Sequence, residues 1–353
     1  MSPVTRNFQE LIPFSEDQIS LLPNVFQHGD SDPRWTMGPG AENALRLQRS
    51  LETFSGAWGL PRESLTLLPD RYLAFYIAMT GIINATTPAS ISHSPIDKKE
   101  ILAIVDGISS TIERREFRVG LDGLFEYPSA PADLTIVQIR NGETGISQRN
   151  LPSGAMIIDA TSALPGDLHD LDLNSIDWRA VILDATSWGG PRGVYLLSIN
   201  PSSPWSNPLP TLDTSLPIFG ASYGLTLLAA VELERFLQVD QGAIAEANLQ
   251  VREIVRHLRD VEIAGEGTRD RLSLSFLYVQ SEELQRNLYR DGFLVDSGSA
   301  CSSSALSPSH VLTGMGLLSQ GNVRLRFRQE NIDQAKALAN SLVEHVTKLR
   351  ESL

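Results

Sequence analysis

Hydrophobic positions in the first two thirds of the chain alternate between two spacings. Between residues 40 and 60 they recur every three to four residues, which predicts an amphipathic helix with its apolar face at Ala44, Leu47, Leu51, Phe54 and Trp58. The apolar stretch 72–83 predicts a buried helix, and 98–108 a further helical segment. Short apolar runs between the helical stretches predict strands at 65–68, 117–121, 134–139, 155–159, 180–183 and 194–199.

The order of elements changes after residue 200. A Pro/Ser/Asn-rich stretch, 200–217, predicts a long surface connection, and a long helix is expected over 217–237. From there the pattern predicts helices over 243–259, 282–290 and 332–349, with strands over 271–279 and 322–328.

Short, nearly continuous apolar strands of this kind suit a mostly parallel sheet covered by helices on both faces. The sequence therefore predicts an α/β fold. A length of 353 residues favours more than one domain, so we expect a large domain over 1–240 and a smaller C-terminal α/β domain over 241–353, with the N-terminal segment packing on the small domain.

Composition narrows the function classes. A formal charge of −13 opposes nucleic acid or an anionic membrane surface as the main partner, because phosphates would be repelled. The sequence lacks both a secretory signal and a long apolar span, and a single cysteine, Cys301, cannot form an internal disulfide; we therefore expect a cytoplasmic protein. The six histidines show no metal-site spacing, and no phosphate-binding glycine motif is present, so no metal is expected.

The most specific stretch is 296–312, which reads Asp-Ser-Gly-Ser-Ala-Cys-Ser-Ser-Ser-Ala-Leu-Ser-Pro-Ser-His-Val-Leu. It resembles the cysteine desulfurase segment Ser-Ser-Gly-Ser-Ala-Cys-Thr/Ser-Ser followed by Leu-x-Pro-Ser-x-Val-Leu. In that family the cysteine takes sulfur from a cofactor-bound cysteine substrate and becomes a persulfide on a mobile loop. The resemblance implies this role for Cys301, and its small polar neighbours suit an accessible thiol. A lone cysteine is otherwise more often buried and inert.

Three further stretches resemble the same family in the same order. Residues 140–148 are similar to its Asn-Asn-Glu-x-Gly-x-x-Gln loop, 157–162 to Val-Asp-Ala-x-Gln, and 190–194 to Gly-Pro-Lys-Gly-Val/Ile. The resemblance implies fold type I of the pyridoxal-phosphate enzymes, within the class V aminotransferase superfamily. It also implies a homodimer with cofactor pockets near the subunit interface.

The residue that would hold the cofactor is missing from the matching motif. The family forms a Schiff base through the lysine of His-Lys-x-x-Gly-Pro-Lys-Gly, whereas Ser187 stands at that position here. A hydroxyl forms no imine and is no amine base for the substrate α-proton. The four lysines are Lys98, Lys99, Lys336 and Lys348, so none lies between residues 100 and 335.

Other cofactor positions also depart from the family pattern. The family's Gly-Gly-Thr phosphate turn is matched by residues 68–73, where Asp70 is expected to cap a helix and fill the anion site with negative charge. Gly142 replaces the second asparagine of the Asn-Asn-Glu loop, and Ser162 the glutamine beside the cofactor ring. Asp159 is kept at the position that pairs with the pyridine nitrogen, although a turn or cap role is equally expected.

Two sites of nitrogen-bearing side chains leave alternatives open. The family's ring-stacking histidine falls at Lys98, with His93 as the rival if the register shifts; Lys98 is then either a rescuing amine or a solvated helix start, and we favour the latter. Arg324, Arg326 and Arg328 alternate on one predicted strand, forming either an anion site or, as we prefer, a solvated face paired with acidic groups.

The family's Arg-x-Gly-Thr and Gly-Arg segments are absent, which puts substrate-carboxylate binding in doubt. The acidic residues near 167–172 are expected to be a solvated connection.

We therefore expect a degenerate cysteine-desulfurase homologue without bound cofactor, acting as a partner, scaffold or sulfur-accepting subunit through Cys301, in a homodimer or a heterodimer with an active paralogue. A sulfur donor or acceptor protein is the expected partner. The alternative is an active desulfurase or aminotransferase that uses pyridoxal phosphate through a non-standard lysine or a paired subunit. A third possibility is a fold kept for its dimer interface, with Cys301 incidental.

Overall fold

The computed structural model describes residues 6–11, 14, 16–27, 31–209, 220–265, 268–297 and 308–351. The helices are α1 (Glu16–Val25), α2 (Gly38–Trp58), α3 (Arg71–Thr86), α4 (Lys99–Asp106), α5 (Pro165–His169), α6 (Tyr223–Phe236), α7 (Gln241–Val255), α8 (Ser281–Arg290), α9 (His310–Gly314) and α10 (Ala335–Glu351). The strands are β1 (Leu65–Leu68), β2 (Ser90–His93), β3 (Glu113–Glu116), β4 (Arg118–Val119), β5 (Phe125–Glu126), β6 (Leu134–Gln138), β7 (Met156–Asp159), β8 (Trp178–Asp184), β9 (Tyr195–Ile199), β10 (Val261–Ala264), β11 (Arg271–Phe276), β12 (Asp296–Ser297) and β13 (Val323–Arg326).

Seven strands form the larger sheet, in the order β1-β9-β8-β7-β6-β2-β3. Strands β8, β7, β6, β2 and β3 pair in parallel, and β9 alone runs against its neighbours. Strands β6 and β7 are buried along their whole length, as expected for a sheet covered on both faces. The predicted α/β class is confirmed.

Helices cover the two faces of this sheet with separate apolar cores. Helices α3 and α4 contribute Phe75 and Ile101 to one core, while α2 and α6 contribute Phe54 and Leu233 to the other. A contiguous apolar face of this kind is what stabilises each helix on the sheet.

The smaller sheet has four antiparallel strands in the order β10-β11-β13-β12. Helices α7, α8 and α10 pack on it and enclose a third core. The N-terminal Phe8 is fully buried in that core, although it precedes all the strands. The domain boundary at residue 240 stays a prediction.

Two stretches differ from the sequence prediction. The strand expected at 117–121 is present only as the two-residue β4, which pairs with β5 in a separate two-stranded sheet. The large sheet instead contains β2 and β3, whose polar sequences Ser-Ile-Ser-His and Glu-Arg-Arg-Glu carry no apolar run. Within the predicted connection 200–217, Trp205 packs on the large sheet's core and donates to the Ile77 carbonyl at 3.1 Å, and residues 210–219 lie outside the described part. No helix in the described ranges is long and apolar enough to cross a bilayer.

Candidate functional site

Polar side chains collect where the parallel strands of the large sheet end. We call Asp97, Lys98, Asp159, Ser162 and Ser187 the strand-end group. Parallel strands end at one edge of the sheet, which is where open α/β sheets place their ligand sites.

Asp159 ends β7 and is fully buried. Its Oδ1 accepts hydrogen bonds from the backbone N–H of Thr161 at 2.9 Å and from the Thr161 hydroxyl at 2.6 Å, and Gln138 Nε2 lies 3.4 Å from Oδ2. These contacts are those of a turn residue. They leave one oxygen, Oδ2, with only a long contact, so both expected roles of Asp159 remain predictions.

Ser187 lies in the 3₁₀ helix Ala185–Trp188, which follows β8 directly. The residue is 1% exposed, and its Oγ has no hydrogen-bond partner among the described residues. Its carbonyl oxygen accepts a 2.6 Å hydrogen bond from Arg326 Nη2, on the smaller sheet. The position that the family resemblance gives to an amine is therefore a buried hydroxyl, with an arginine of the other sheet bound beside it.

Lys98 precedes α4 and reaches the strand-end group. Its Nζ lies 3.1 Å from Ser162 Oγ, and a Cβ added at Gly142 would come within 3.4 Å of that nitrogen and 2.8 Å of Ser162 Oγ. The contact joins Lys98 to both family loops and does not fit a fully solvated helix start. The ring of His93, the rival, lies 3.3 Å from the adjacent Ser94 carbonyl through Nδ1.

Asp97 adds a buried carboxyl to this group. Its Oδ2 accepts from the Ser94 N–H at 2.8 Å, while Oδ1 has no partner among the described residues. Burial raises the pKa of Asp97 well above its ordinary value, and nearby Asp159 raises it further.

The start of α3 is where the resemblance implies a phosphate site. Asp70 caps the helix, accepting the Leu73 N–H at 2.9 Å, as predicted. A second carboxylate, Asp184, caps the 3₁₀ helix by accepting from Thr186 N at 2.9 Å. Burial raises the pKa of nearby Tyr195 to about 12, and Asp184 and Asp70 contribute to the rise.

These residues do not fit pyridoxal phosphate. A phosphate dianion at the α3 terminus would meet the carboxylates of Asp70 and Asp184, and it would find the Leu73 amide already bound. At the other end, the aldehyde would face the Ser187 hydroxyl. Among the described residues, Lys98 brings an amine to the group through its contact with Ser162.

A buried network of ions lies between the two sheets. We call Arg140, Arg271 and Arg326, with the carboxylates Glu10, Asp167 and Asp270, the arginine cluster. Arg140 donates to Asp167 Oδ2 at 3.0 Å and to Asp270, and Arg326 Nε lies 3.0 Å from Asp270 Oδ2. Burial alone would raise the pKa of Asp270, but Arg140, Arg326 and Arg271 together lower it to about 2.

The cluster also corrects two predictions. Arg326 is 5% exposed on its side chain and Asp167 is buried, so neither the solvated arginine face nor the solvated acidic connection is right for these residues. Arg324 and Arg326 do pair with acidic groups, as predicted, whereas Arg328 donates to the backbone carbonyls of Gln9 and Glu10. Burial and the neighbouring Arg271 lower the pKa of Arg326 to about 9.

Sequence reasoning missed Glu10, Asp270 and Arg271. Residues 270 and 271 open an alternating strand, where a charged pair normally indicates a solvated turn. These residues are buried only because the two sheets pack together, and no local sequence pattern predicts that contact.

Cys301 lies outside the described residues, but the positions on either side of its loop are described. Ser309 donates to Glu143 Oε2 at 2.6 Å, and Arg324 Nη1 lies 3.3 Å from Glu143 Oε1. Arg324 Nη2 also donates to the Ser297 carbonyl at 2.7 Å. Glu143, which follows β6, is therefore connected through Ser309 and Arg324 to described residues on both sides of the segment that carries Cys301.

No three His, Cys, Asp or Glu side chains within the described ranges form a group that would hold a metal ion. Nor does any protein-family model match the chain.

Curated proteins and solved structures do resemble it. A cysteine desulfurase IscS of Azotobacter vinelandii is 38% identical over 318 residues, covering 78% of this chain and 75% of the relative. A cysteine desulfurase of Mus musculus is 33% identical, covering 94% and 78%, and an IscS of Pseudomonas fluorescens 30%, covering 73% and 71%.

Among solved structures, the apo cysteine desulfurase from Thermococcus onnurineus NA1 has a TM-score of 0.80 at 12% identity, covering 98% of this chain and 95% of that one. A NifS-like protein has a TM-score of 0.78 at 15% identity, covering 97% and 99%. The likeness to these two structures establishes the fold, and the sequence relatives establish the family. The chain belongs to the cysteine desulfurase family of the class V aminotransferases.

Proposed function

We propose that this protein is a member of the cysteine desulfurase family that does not carry out pyridoxal-phosphate catalysis and acts as a partner subunit. In this role it accepts sulfur on Cys301 from an active desulfurase in the cytoplasm. A heterodimer with an active paralogue would bring donor and acceptor together, and a homodimer is the alternative assembly.

Ser187 is the observation that carries the proposal. Condensation with an aldehyde requires a nucleophilic nitrogen, whereas the family's lysine position holds a buried hydroxyl within the 3₁₀ helix. Arg326 donates to the carbonyl of the same residue, so the space beside it contains a guanidinium. Asp70 and Asp184 add negative charge at the end where a phosphate would bind.

The sulfur-accepting role follows from the sequence around Cys301 and needs no cofactor on this chain. The Cys301 thiolate would attack the outer sulfur of a persulfide on the donor enzyme. The donor's sulfur–sulfur bond breaks, the donor cysteine leaves as a thiolate and takes up the proton released from Cys301, and the persulfide now resides on Cys301. The exchange needs neither an oxidant nor a reductant.

The test has two parts. Purified protein is incubated with pyridoxal phosphate, reduced with borohydride and analysed by intact mass, and we expect no covalent adduct. It is then incubated with an active cysteine desulfurase and cysteine, and we expect one added sulfur that is lost in Cys301→Ser. A reducible adduct together with cysteine turnover would reject the proposal, and the absence of sulfur on Cys301 would remove the acceptor role.

A second candidate is supported by the 3.1 Å contact between Lys98 Nζ and Ser162 Oγ, which brings an amine to the strand-end group. In this case Lys98 would form the Schiff base in an active enzyme. The borohydride adduct would then map to Lys98 and disappear in Lys98→Met. The exposed neighbour Lys99 offers a matched control, since Lys99→Met would leave the adduct in place.

A further inference from the structure

The N-terminal residues 6–11 lie along the edge of the smaller sheet. The Phe8 N–H donates to the Leu294 carbonyl at 2.8 Å, the Leu294 N–H to the Arg6 carbonyl at 3.0 Å, and the Arg326 N–H to the Phe8 carbonyl at 2.8 Å. Because the Phe8 ring is fully buried, this segment is fixed by both its backbone and its core contact.

Glu10 projects from the fixed segment into the arginine cluster. Its Oε1 accepts from Arg271 Nη2 at 2.8 Å and from Arg326 Nη1 at 3.2 Å, and its Oε2 accepts from Arg271 Nε at 3.3 Å. The carboxylate therefore bridges two guanidiniums and binds one of them through both oxygens. This is the geometry that a fork of guanidinium N–H groups selects for carboxylates.

The two arginines are far more buried than the carboxylate they hold. The side chains of Arg271 and Arg326 are 3% and 5% exposed, whereas that of Glu10 is 38% exposed. The Glu10 carboxylate therefore lies on the solvent side of two buried guanidiniums. Although desolvation opposes it, Arg271 and Arg326 hold the pKa of Glu10 well below its ordinary value.

The backbone of Glu10 is held independently of its side chain. The Glu10 N–H donates to Asp296 Oδ2 at 2.7 Å, and Arg328 donates to the carbonyls of Gln9 and Glu10. Rotation of the Glu10 side chain alone would therefore uncover the two guanidiniums without moving the segment.

We propose that Arg271 and Arg326 form a binding site for the carboxylate of a small organic acid, and that Glu10 is its internal, displaceable ligand. Asp270 limits the ligand to one negative charge, because its Oδ2 lies 3.0 Å from Arg326 Nε and 3.7 Å from Arg271 Nη1. A phosphate dianion would meet that carboxylate, whereas a monoanion would replace Glu10 charge for charge. The site does not depend on whether a cofactor binds.

The probe is propionate, which matches the atoms of the glutamate side chain from Cβ outward. In Glu10→Ala we expect a lower Tm, since two buried cations lose a ligand. Saturating propionate should raise the Tm of this variant by roughly 2–4 °C. The wild type should respond much less, because its own Glu10 competes at a high effective concentration.

Three controls separate the site from general anion effects. Chloride at the same ionic strength and inorganic phosphate should both raise the Tm of Glu10→Ala less than propionate does. Glu63→Ala, which removes an exposed carboxylate, should keep the wild-type response. Glu10→Gln keeps the size of the side chain without its charge and should respond more than the wild type.

Equal propionate responses in the wild type and Glu10→Ala would overturn the proposal, as would a chloride effect as large as that of propionate. Should Glu10→Ala fail to fold, a Glu10→Gln response no larger than that of the wild type overturns it in the same way. A pyridoxal-phosphate adduct, by contrast, would reject the proposed function and leave this site untouched.

Discussion

The strand-end group and the arginine cluster lie close together, joined by the hydrogen bond from Arg326 to the Ser187 carbonyl, yet they differ in the charges that lie beside their buried polar atoms. In the strand-end group, Ser187 Oγ and Asp97 Oδ1 are buried without partners among the described residues. In the arginine cluster, Arg140 Nε, Arg326 Nε and Asp270 Oδ2 also lack a hydrogen bond among the described residues, but each carboxylate contacts at least one guanidinium of opposite charge.

A buried polar atom without a hydrogen bond costs free energy of folding. Such an atom therefore does not contribute to stability by itself, and an opposite charge beside it offsets part of the cost. Under the proposed function, the strand-end group is a site whose ligand chemistry has changed, while the arginine cluster is a set of ion pairs that joins the two sheets. Ion pairs thus join the two sheets beside Ser187, the position to which the family resemblance gives the Schiff-base lysine.

Disrupting the arginine cluster should have the largest effect on stability. Asp270→Asn leaves the three cluster arginines with two carboxylates, Glu10 and Asp167, and we expect a loss of about 3–5 kcal/mol in the free energy of unfolding at neutral pH. The pKa of Asp270 in the folded protein is about 2, below the unfolded value of about 3.9, so its contribution is present above pH 4 and is lost as the pH falls toward 2. Urea unfolding at several pH values measures both quantities.

The matched control is Asp177→Asn, which removes a carboxylate that is 51% exposed and 3.0 Å from Arg179. Its effect should stay within about 0.5 kcal/mol, because solvent screens the exposed pair. Equal losses of unfolding free energy in the two variants, or a loss in Asp270→Asn that does not shrink below pH 4, would show that the arginine cluster does not stabilise the fold as proposed.

The connection to the cysteine loop should have an intermediate effect. Glu143→Gln weakens the contact with Arg324 and keeps one acceptor for Ser309, and we expect a loss of about 1 kcal/mol. If Glu143 restrains the loop, Cys301 should react with a thiol reagent roughly two- to fivefold faster in the variant.

Glu126→Gln, at an exposed position of β5, serves as the control and should leave the thiol rate unchanged. A fall in stability in Glu143→Gln without any change in thiol rate would restrict Glu143 to a structural role.

Local sequence patterns were sufficient to predict the fold class, most strands of the large sheet and the cap at Asp70. Apolar runs predicted β6 to β9, and the helix N-cap at Asp70 followed from one residue type beside a helical stretch. Strand β2 was missed because its sequence is polar, and the arginine cluster was missed because its members are brought together from positions as far apart as 10 and 326. Long-range ion pairs have no sequence period, so only the packed fold reveals them.

The α3 terminus, where the family resemblance implies a phosphate site, is tested by Asp70, and here we expect the smallest effect. Asp70→Ala removes the acceptor for the Leu73 N–H and should cost about 1 kcal/mol in urea unfolding, whereas Asp70→Ser keeps an acceptor and should cost only a few tenths. If the Asp70 charge is what excludes an anion from the α3 terminus, inorganic phosphate should raise the Tm of Asp70→Ser more than that of the wild type. Equal phosphate responses would mean that Asp184 alone is sufficient to exclude the anion, or that the terminus was never closed to it, and Asp70→Ser combined with Asp184→Ser separates these outcomes: the double variant gains a phosphate response only in the first case.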